Sequence, residues 1–246
     1  CACLVGSEMC IRDSFNPDFL AYLKNLELEI DIEAVREGTV VFPNDPLVRV
    51  TGPILQCQLI ETALLNCINF ETLIATKAAR VCLAAETPVA EFGLRRAQGP
   101  DAGIFGARAA VIGGCAGTSC VLTGKMFDVP VLGTHAHSWI MSFPDEYTAF
   151  KTYAKLYPNA CTLLVDTYDV LKSGVPNAIR VFEEMREEGI PLTKYGIRID
   201  SGDLAYLSKE AYKMLAAAGF DDATISASSD LDEYLIDSLK TQNAAI

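Results

Sequence analysis

A repeated pattern after Pro88 constrains the fold of this chain more than any other feature. Six short apolar segments each end in a cluster of polar residues, which we call a tip, and a stretch with helical spacing follows each one. The predicted strands cover residues 89–92, 113–117, 129–132, 161–165, 195–199 and 223–226. Consecutive β-α units of this kind predict parallel strands that are joined by right-handed helical crossovers.

The tips suggest where these strands deliver their side chains. Polar residues at the carboxyl end of every strand predict one site at the mouth of an α/β barrel. A doubly wound open sheet is the alternative, but no Gly-x-Gly-x-x-Gly follows a first strand. Because six units do not complete an eight-stranded barrel, we expect an irregular parallel α/β barrel that is incomplete in this chain.

The region before the repeat has a different pattern. We predict a helix over residues 15–26, a small antiparallel β unit over 28–50 with a strand at 39–42, and one or two long helices over 53–85. The predicted organisation is therefore a partial N-terminal α+β domain with a linking helix at 15–86 and an incomplete catalytic barrel at 87–246.

The first residues have a separate interpretation. Residues 4–14 resemble the translation of a sequencing adapter that has been read in frame. We therefore interpret residues 1–14 as a scar, so that the natural sequence in this chain starts near Phe15. In the natural protein we expect a different sequence before Phe15 and further residues after Ile246.

Composition excludes several classes of function. The formal net charge of −12 argues against a nucleic-acid partner, whose binding face would be basic. No apolar run reaches the length of about eighteen residues that a membrane helix needs. Cysteines without a Cys-x-x-Cys pair predict buried free thiols in a reducing cytoplasm. These are Cys57, Cys67, Cys82, Cys115, Cys120 and Cys161.

Two histidines mark the tip after the third strand. His135 and His137 are the only histidines of the chain, and they share a face if the extended backbone continues past Gly133. A neutral imidazole serves as a general base or as an acceptor for a phosphoryl group near pH 7. Two incidental histidines at the end of a strand are the alternative.

Cations and hydroxyls occupy the first two tips. Arg95 and Arg96 beside Phe92 predict an anion clamp next to an aromatic ring, although an ordinary solvated arginine pair has the same sequence. Thr118 and Ser119 follow a glycine-rich segment and offer hydroxyls to a ligand. Small residues in a tight turn are the alternative there.

The fifth tip, at residues 198–203, is the densest in chemistry. An inward Arg198 beside Asp200 is costly unless the two pair or meet a charged ligand. Ser201 and Gly202 precede a predicted helix, whose N-terminus is suited to a phosphate.

Two further tips carry acidic residues. Ser228, Ser229 and Asp230 offer the same phosphate chemistry, with helix capping as the alternative. Asp166 and Asp169 either hold Mg²⁺ through water or cap the following helix, so the metal ligands stay unassigned. The residues alone thus predict an α/β-barrel enzyme for an anionic, phosphorylated substrate, with Mg²⁺ and a histidine in use.

The motifs, taken in order, resemble those of nicotinate phosphoribosyltransferase. The matching stretches are 37–43, 58–66, 69–80, 91–96, 133–139, 198–203 and 229–233. The resemblance implies a type II phosphoribosyltransferase, with a small N-terminal domain and an irregular barrel, which is usually a homodimer with shared sites. It also implies the reaction: nicotinate displaces pyrophosphate from phosphoribosyl pyrophosphate, with ATP and Mg²⁺, to give nicotinate mononucleotide.

The resemblance assigns roles to individual residues. His137 resembles the phosphohistidine that couples ATP hydrolysis to transfer, and Asp200 is the second catalytic candidate. The implied nicotinate contacts are Thr134, Arg198, Phe92, Arg95 and Arg96. The implied ribose-phosphate contacts are Ser201, Gly202, Ser229 and Asp230, beside Asp200. Thr118 and Ser119 stay substrate-binding candidates because of their hydroxyls. His135 receives no role, because the family varies there, and Cys120 stands where the family commonly has a polar residue.

Three alternatives stay open. A nicotinamide-using relative shares the barrel and the histidine, but Arg96 and the Thr-His-Ala-His-Ser sequence favour the acid. A quinolinate-using enzyme needs a denser basic pocket and has no ATP-coupled histidine. The third is that this chain, as expressed, is an inactive fragment with an open sheet edge.

Overall fold

A computed structural model describes residues 15–246 of the chain. The predicted adapter scar at 1–14 lies outside the described residues. The chain divides into two compact units, one ending at Asn69 and the other running from Phe70 to Ile246. Within the described part, no helix is long and apolar enough to span a membrane.

The first unit begins with a capped helix and a hairpin-like strand pair. Helix α1 (Pro17–Lys24) has Asn16 as its N-cap, whose side chain accepts a hydrogen bond from the backbone N–H of Asp18 at 2.8 Å. Strands β1 (Asp31–Ala34) and β2 (Val48–Thr51) pair antiparallel. The strand predicted at 39–42 was wrong: the Asp45 carboxylate accepts from the backbone N–H of Phe42 at 2.8 Å and closes a turn there.

A single helix, α2 (Ile54–Ala85), follows and is 32 residues long. Near its start lies the buried side chain of Gln56, which accepts from the backbone N–H of Glu29 at 2.6 Å and donates to the carbonyl of Glu27 at 3.2 Å. These two bonds satisfy a buried amide and fix the segment before β1 to the beginning of α2.

The second unit contains two groups of parallel strands. Strand β3 (Ala90–Glu91) pairs with β4 (Gly117–Thr118), and Val131 adds a single parallel bridge to Thr118. The other sheet has the order β5 (Cys161–Leu164), β6 (Tyr195–Ile199), β7 (Thr224–Ala227), and both pairings are parallel. The prediction of a mixed α/β unit with parallel strands is confirmed, whereas the strand predicted at 129–132 is reduced to the Val131 bridge.

Helices connect these strands as the repeat predicts. They are α3 (Pro100–Ile112), α4 (Val121–Phe127), α5 (His137–Ile140), α6 (Glu146–Leu156), α7 (Val175–Glu187), α8 (Leu204–Ala217) and α9 (Glu233–Thr241). A 3-10 helix at Leu94–Arg96 follows β3, and a π-helical turn at Val170–Gly174 precedes α7. Aspartates at 145, 203 and 232 are the N-caps of α6, α8 and α9, and each accepts a backbone N–H three residues further on.

The core of the second unit surrounds β5 and β6. Its largest fully buried side chains include Phe150, Leu163, Phe182, Ile197 and Leu215. Burial of side chains of this size contributes about 1.5–3 kcal/mol each. The ends of β5 and β6, which carry the fourth and fifth tips, are therefore held by a well-packed core.

One glycine brings the π-helical turn onto the end of β5. A Cβ at Gly174 would lie 1.9 Å from the carbonyl oxygen of Val165, so no other residue fits without a backbone shift. Val165 directly precedes Asp166, and this contact therefore fixes the backbone of the fourth tip.

The six cysteines among residues 15–246 are free thiols, as predicted. Cys115, Cys120 and Cys161 are buried, and Cys57 and Cys82 are partly buried. Cys67 is exposed on α2, so the prediction of burial was wrong for that residue.

Candidate active site

Arg198, near the end of β6, joins three tips of the second unit. Its Nη1 donates to the Thr134 hydroxyl at 2.8 Å, its Nε to the Ser228 hydroxyl at 2.7 Å, and its Nη2 to the Asp200 carboxylate at 2.9 Å. The Arg198 side chain is only 16% exposed. A buried guanidinium needs such partners. Of the two alternatives for Arg198, a pair with Asp200 or a charged ligand, the structure shows the pair.

Asp200 is held as a carboxylate in this network. Burial raises its pKa, but the hydrogen bond from Ser228 and the charges of Arg198 and His137 outweigh burial, and the pKa of Asp200 is lowered from its ordinary value. The site thus contains a fixed negative charge next to a fixed positive one.

An aromatic ring from the first tip lies against the same guanidinium. The Cζ atom of Arg198 is 5.3 Å from the centroid of the Phe92 ring, a distance at which cation and ring attract each other. The predicted neighbours Phe92, Thr134, Arg198 and Asp200 therefore come together, although they belong to three different tips.

Asp166 connects this network to His137. One carboxylate oxygen, Oδ1, is 3.0 Å from Nε2 of His137. The other, Oδ2, accepts from the backbone N–H of Asp200 at 3.1 Å and from the Ser201 hydroxyl at 2.5 Å. The Asp166 side chain is 1% exposed and the His137 imidazole 40%, so a buried anion orients an accessible histidine.

Sequence reasoning had left the role of Asp166 open between a magnesium ligand and a helix cap. The capping alternative describes Asp169 instead, whose carboxylate accepts the backbone N–H groups of Leu171 and Lys172 at 3.1 and 2.9 Å. Ser228 belongs to the last predicted tip together with Ser229 and Asp230, but the resemblance assigns it no role. The only signal for either residue was its position after a strand.

His135 and His137 face different surroundings. Helix α5 begins at His137, so the extended backbone that would place both rings on one face ends at Ala136. His135 is 7% exposed and lies among Trp139, Phe150 and Tyr153. Burial, with smaller contributions from the charges of Arg198 and His137, lowers the pKa of His135 to about 4.

The hydroxyl of Thr118 is engaged in the fold of the β3–β4 pair. It donates to the Glu91 carboxylate at 2.6 Å and accepts the backbone N–H of Cys120 at 2.9 Å. The backbone N–H of Ser119 donates to the carbonyl of Glu91 at 3.0 Å. Glu91 thus organises this tip, and the ligand contacts predicted for Thr118 and Ser119 stay predictions.

The remaining candidates lie at the exposed rim. Arg96, in the 3-10 helix after β3, forms an ion pair with Asp230 after β7, with Nη1 and Oδ1 2.5 Å apart. Arg95 precedes it in the same exposed turn. Gly202 and Ser229 have positive φ values of 82° and 128°, which glycine adopts readily and serine rarely.

The described residues do not form a protein cage for a metal ion. Within residues 15–246, no group of three or more histidine, cysteine, aspartate or glutamate side chains is arranged to hold one. Both carboxylate oxygens of Asp166 and Oδ1 of Asp200 already have hydrogen-bond partners in the chain. This donor set fits Mg²⁺ only as an ion carried by substrate phosphates, which is its usual mode in phosphate-binding enzymes.

Comparison with known proteins gives a consistent result. A sequence model of the nicotinate phosphoribosyltransferase (NAPRTase) N-terminal domain matches residues 7–69, a stretch that begins inside the predicted scar. The nicotinate phosphoribosyltransferase of Bacillus subtilis is 54% identical over 233 residues, which cover 94% of this chain and 47% of that protein. The human protein of the same name is 33% identical over 94% of this chain and 53% of its own length.

Solved structures agree with the sequence relatives. The crystal structure of human nicotinic acid phosphoribosyltransferase matches 100% of this chain and 60% of its own, with a TM-score of 0.83 and 31% identity. That of nicotinate-nucleotide pyrophosphorylase from Pyrococcus furiosus matches 85% and 53%, with a TM-score of 0.75 and 29% identity. The chain spans about half the length of the curated relatives it matches. The resemblance to the nicotinate phosphoribosyltransferase family is therefore confirmed over nearly the whole of this chain.

Proposed function

We propose that the protein containing this chain is a nicotinate phosphoribosyltransferase of NAD salvage. The observation that carries the proposal is the network in which Asp166 holds His137 beside Arg198 and Asp200. The names of the relatives support the substrates nicotinate and phosphoribosyl pyrophosphate. In this proposal, strands β3 to β7 are part of an irregular α/β barrel, and the full-length protein is a cytoplasmic homodimer.

Nicotinate binds, in this proposal, between Phe92 and the Arg198 network. The aromatic ring of the substrate packs on Phe92, while Arg198 and the hydroxyl of Thr134 present hydrogen-bond donors in fixed directions. Because Asp200 already neutralises the buried Arg198, the extra positive charge for the substrate carboxylate comes from Arg95 and Arg96 at the rim. Arg96 exchanges its exposed ion pair with Asp230 for the substrate.

The transfer step forms one bond and breaks one bond. The pyridine nitrogen of nicotinate donates its lone pair to C1 of the ribose, and the C1–O bond to pyrophosphate breaks with its electron pair on oxygen. Positive charge develops on the ribose as that bond lengthens. A carboxylate that is already ionised and oriented, as Asp200 is, stabilises this charge without reorganisation.

ATP coupling follows from the geometry of His137. When Nε2–H donates to Asp166, the lone pair lies on Nδ1, to which no other group among residues 15–246 bonds. We propose that Nδ1 attacks the γ-phosphorus of ATP, that ADP leaves with the electron pair, and that Asp166 stabilises the imidazolium. Water then attacks the phosphorus of the phosphohistidine. The N–P bond breaks with its electron pair on Nδ1, and inorganic phosphate leaves, which regenerates the imidazole.

Magnesium has a limited role in this scheme. Bound with the phosphates of the substrates, Mg²⁺ neutralises their charge. Ser201 and Gly202 lie before the N-terminus of α8, where backbone N–H groups favour the ribose 5-phosphate. Ser229 and Asp230 occupy the neighbouring tip after β7.

The test is pyrophosphate release by the full-length protein with nicotinate or nicotinamide, each with and without ATP. We expect release with nicotinate that ATP stimulates. Release with nicotinamide alone would contradict the substrate assignment and favour the nicotinamide-using alternative. No release with either base would contradict the proposed activity, provided that the protein is folded and also contains the part of its relatives that this chain does not cover.

A further inference from the structure

We propose that His135 is a positioning residue for the reaction, because its imidazole takes the place of a strand carbonyl at the edge of β5 and thereby fixes Thr134 and His137 to their partners. The inference rests on the proposed function for its catalytic consequence. Its structural part does not depend on that function, since it concerns one hydrogen bond and one tautomer.

The edge of β5 creates the need for such a residue. The backbone N–H groups of Cys161 and Val165 donate to carbonyls at 194 and 198 on the β6 side. Because N–H directions alternate along a strand, the N–H of Leu164 points away from β6. β5 lies at the edge of its sheet among the described strands, so no strand carbonyl accepts this group.

His135 supplies the missing acceptor. Its Nε2 accepts the N–H of Leu164 at 3.2 Å, and both residues are buried. An unpaired backbone N–H at such a depth is strongly disfavoured. The segment at 129–132 does not accept this N–H group, because Val131 pairs with Thr118 in the other group of strands.

The hydrogen bond dictates the protonation state of His135. Since Nε2 accepts, the proton of the neutral ring is on Nδ1, and a doubly protonated ring would lose the bond. Nδ1 is buried and has no partner among the described residues. A polar atom is therefore left unsatisfied in an apolar surrounding of Trp139, Phe150 and Tyr153, and the imidazole is not explained by packing alone.

The neighbours of His135 explain what its anchoring achieves. Thr134, one residue before, accepts from Nη1 of Arg198, and His137, two residues after, meets Asp166. Thr134 and His137 thus contact candidate site residues, whereas His135, between them, contacts only the backbone of Leu164. A shift of this segment would displace the nicotinate contact and the phosphoryl acceptor together, and misplacement by about 1 Å is enough to cost roughly 100-fold in rate.

The experiment compares two variants of the full-length protein with a control. His135→Phe retains a ring but offers no acceptor, whereas His135→Gln restores an acceptor oxygen at a similar distance. Tyr153→Phe changes the surrounding of the ring without touching the bond to Leu164. Each protein is measured for kcat, KM of nicotinate, ATP-dependent phosphorylation rate of His137, melting temperature, and amide exchange at residues 163–165.

The expected pattern separates positioning from plain stability. In His135→Phe we expect the phosphorylation rate and kcat per folded site to fall at least about tenfold and KM of nicotinate to rise. Amide protection is lost at Leu164 but retained at Leu163 and Val165. His135→Gln recovers most of each loss, and Tyr153→Phe behaves like the unsubstituted protein.

Two results would overturn the inference. One is a folded His135→Phe protein whose rates and Leu164 amide protection are unchanged, whether or not its melting temperature is lower. The other is a ¹⁵N spectrum in which neutral His135 carries its proton on Nε2. The spectrum and the exchange data need no turnover, so they decide the structural part even if the full-length protein lacks the proposed activity.

Discussion

The buried carboxylate of Asp166 contacts the accessible imidazole of His137, with Oδ1 and Nε2 3.0 Å apart. The second oxygen of Asp166 accepts the backbone N–H of Asp200 at 3.1 Å. One carboxylate therefore sets the orientation of the proposed phosphoryl acceptor and the position of the residue proposed to stabilise the ribose. We therefore expect binding at one side of the site to affect the other through Asp166.

Asp166→Asn tests this link. The asparagine amide lacks the negative charge that stabilises an imidazolium. Only its oxygen can accept a hydrogen bond, whereas both oxygens of Asp166 have hydrogen-bond partners. We expect ATP-dependent phosphorylation of His137 to fall about 100-fold, as when one preorganised electrostatic group is removed. Asp169→Asn is the matched control, because Asn caps a helical turn as well as Asp does. Equal phosphorylation rates in the two variants would contradict the link.

Arg198→Lys tests the guanidinium network. Lysine keeps the charge but cannot donate in three fixed directions to Thr134, Ser228 and Asp200. We expect kcat/KM for nicotinate to fall by about 100-fold or more, because hydrogen bonds to charged groups contribute about 1.5–3 kcal/mol each. Steady-state kinetics on Arg180→Lys, whose pair with Glu184 lies on α7, provide the control. A loss that is the same in both variants would count against a specific role.

Arg96→Gln tests recognition of the substrate acid. Arg96 is paired with Asp230 at the exposed rim, and its proposed partner in the complex is the carboxylate of nicotinate. We expect KM for nicotinate to rise about tenfold, the effect of one partly solvated charge pair, with little change in kcat. Lys213→Gln on α8 removes a comparable exposed charge outside the site. An unchanged KM for nicotinate in Arg96→Gln would remove Arg96 from the site.

Stability in acid tests the state of His135. Its pKa is lowered from 6.5 to about 4 in the folded chain, so the unfolded state binds a proton first as pH falls. The stabilisation from a neutral His135 is present above pH 6.5 and is lost between about pH 6.5 and 4, by roughly 3 kcal/mol in free energy of unfolding. Urea titrations of the unsubstituted and His135→Gln proteins at several pH values measure it. Parallel stability curves for the two would contradict a buried neutral imidazole.

The sequence pattern predicted the parts of this fold that depend on local spacing. The strands at 161–164, 195–199 and 224–227 and their helices follow from apolar runs, tips and helical periodicity. For Arg198 the sequence narrowed the partner to Asp200 or a charged ligand, and only the structure shows that the arginine pairs with Asp200.

What could not be predicted depends on contacts between distant residues. Ser201 reaches Asp166 across 35 positions, and nothing in the spacing of either tip indicates which of the others it meets. Thr39–Phe42 has strand-forming residues, but the turn closed by Asp45 prevails over local propensity. The role of His135 depends on an unpaired edge of β5, which appears only when the order of the strands is known.

The most direct test of the central claim is to incubate the full-length protein with ATP labelled at the γ-phosphate and to map the label. The account predicts an acid-labile phosphoryl group on Nδ1 of His137, absent from His137→Ala, together with ATP stimulation of pyrophosphate release from phosphoribosyl pyrophosphate and nicotinate. A label on another residue, or ATP stimulation that survives in His137→Ala, would contradict it.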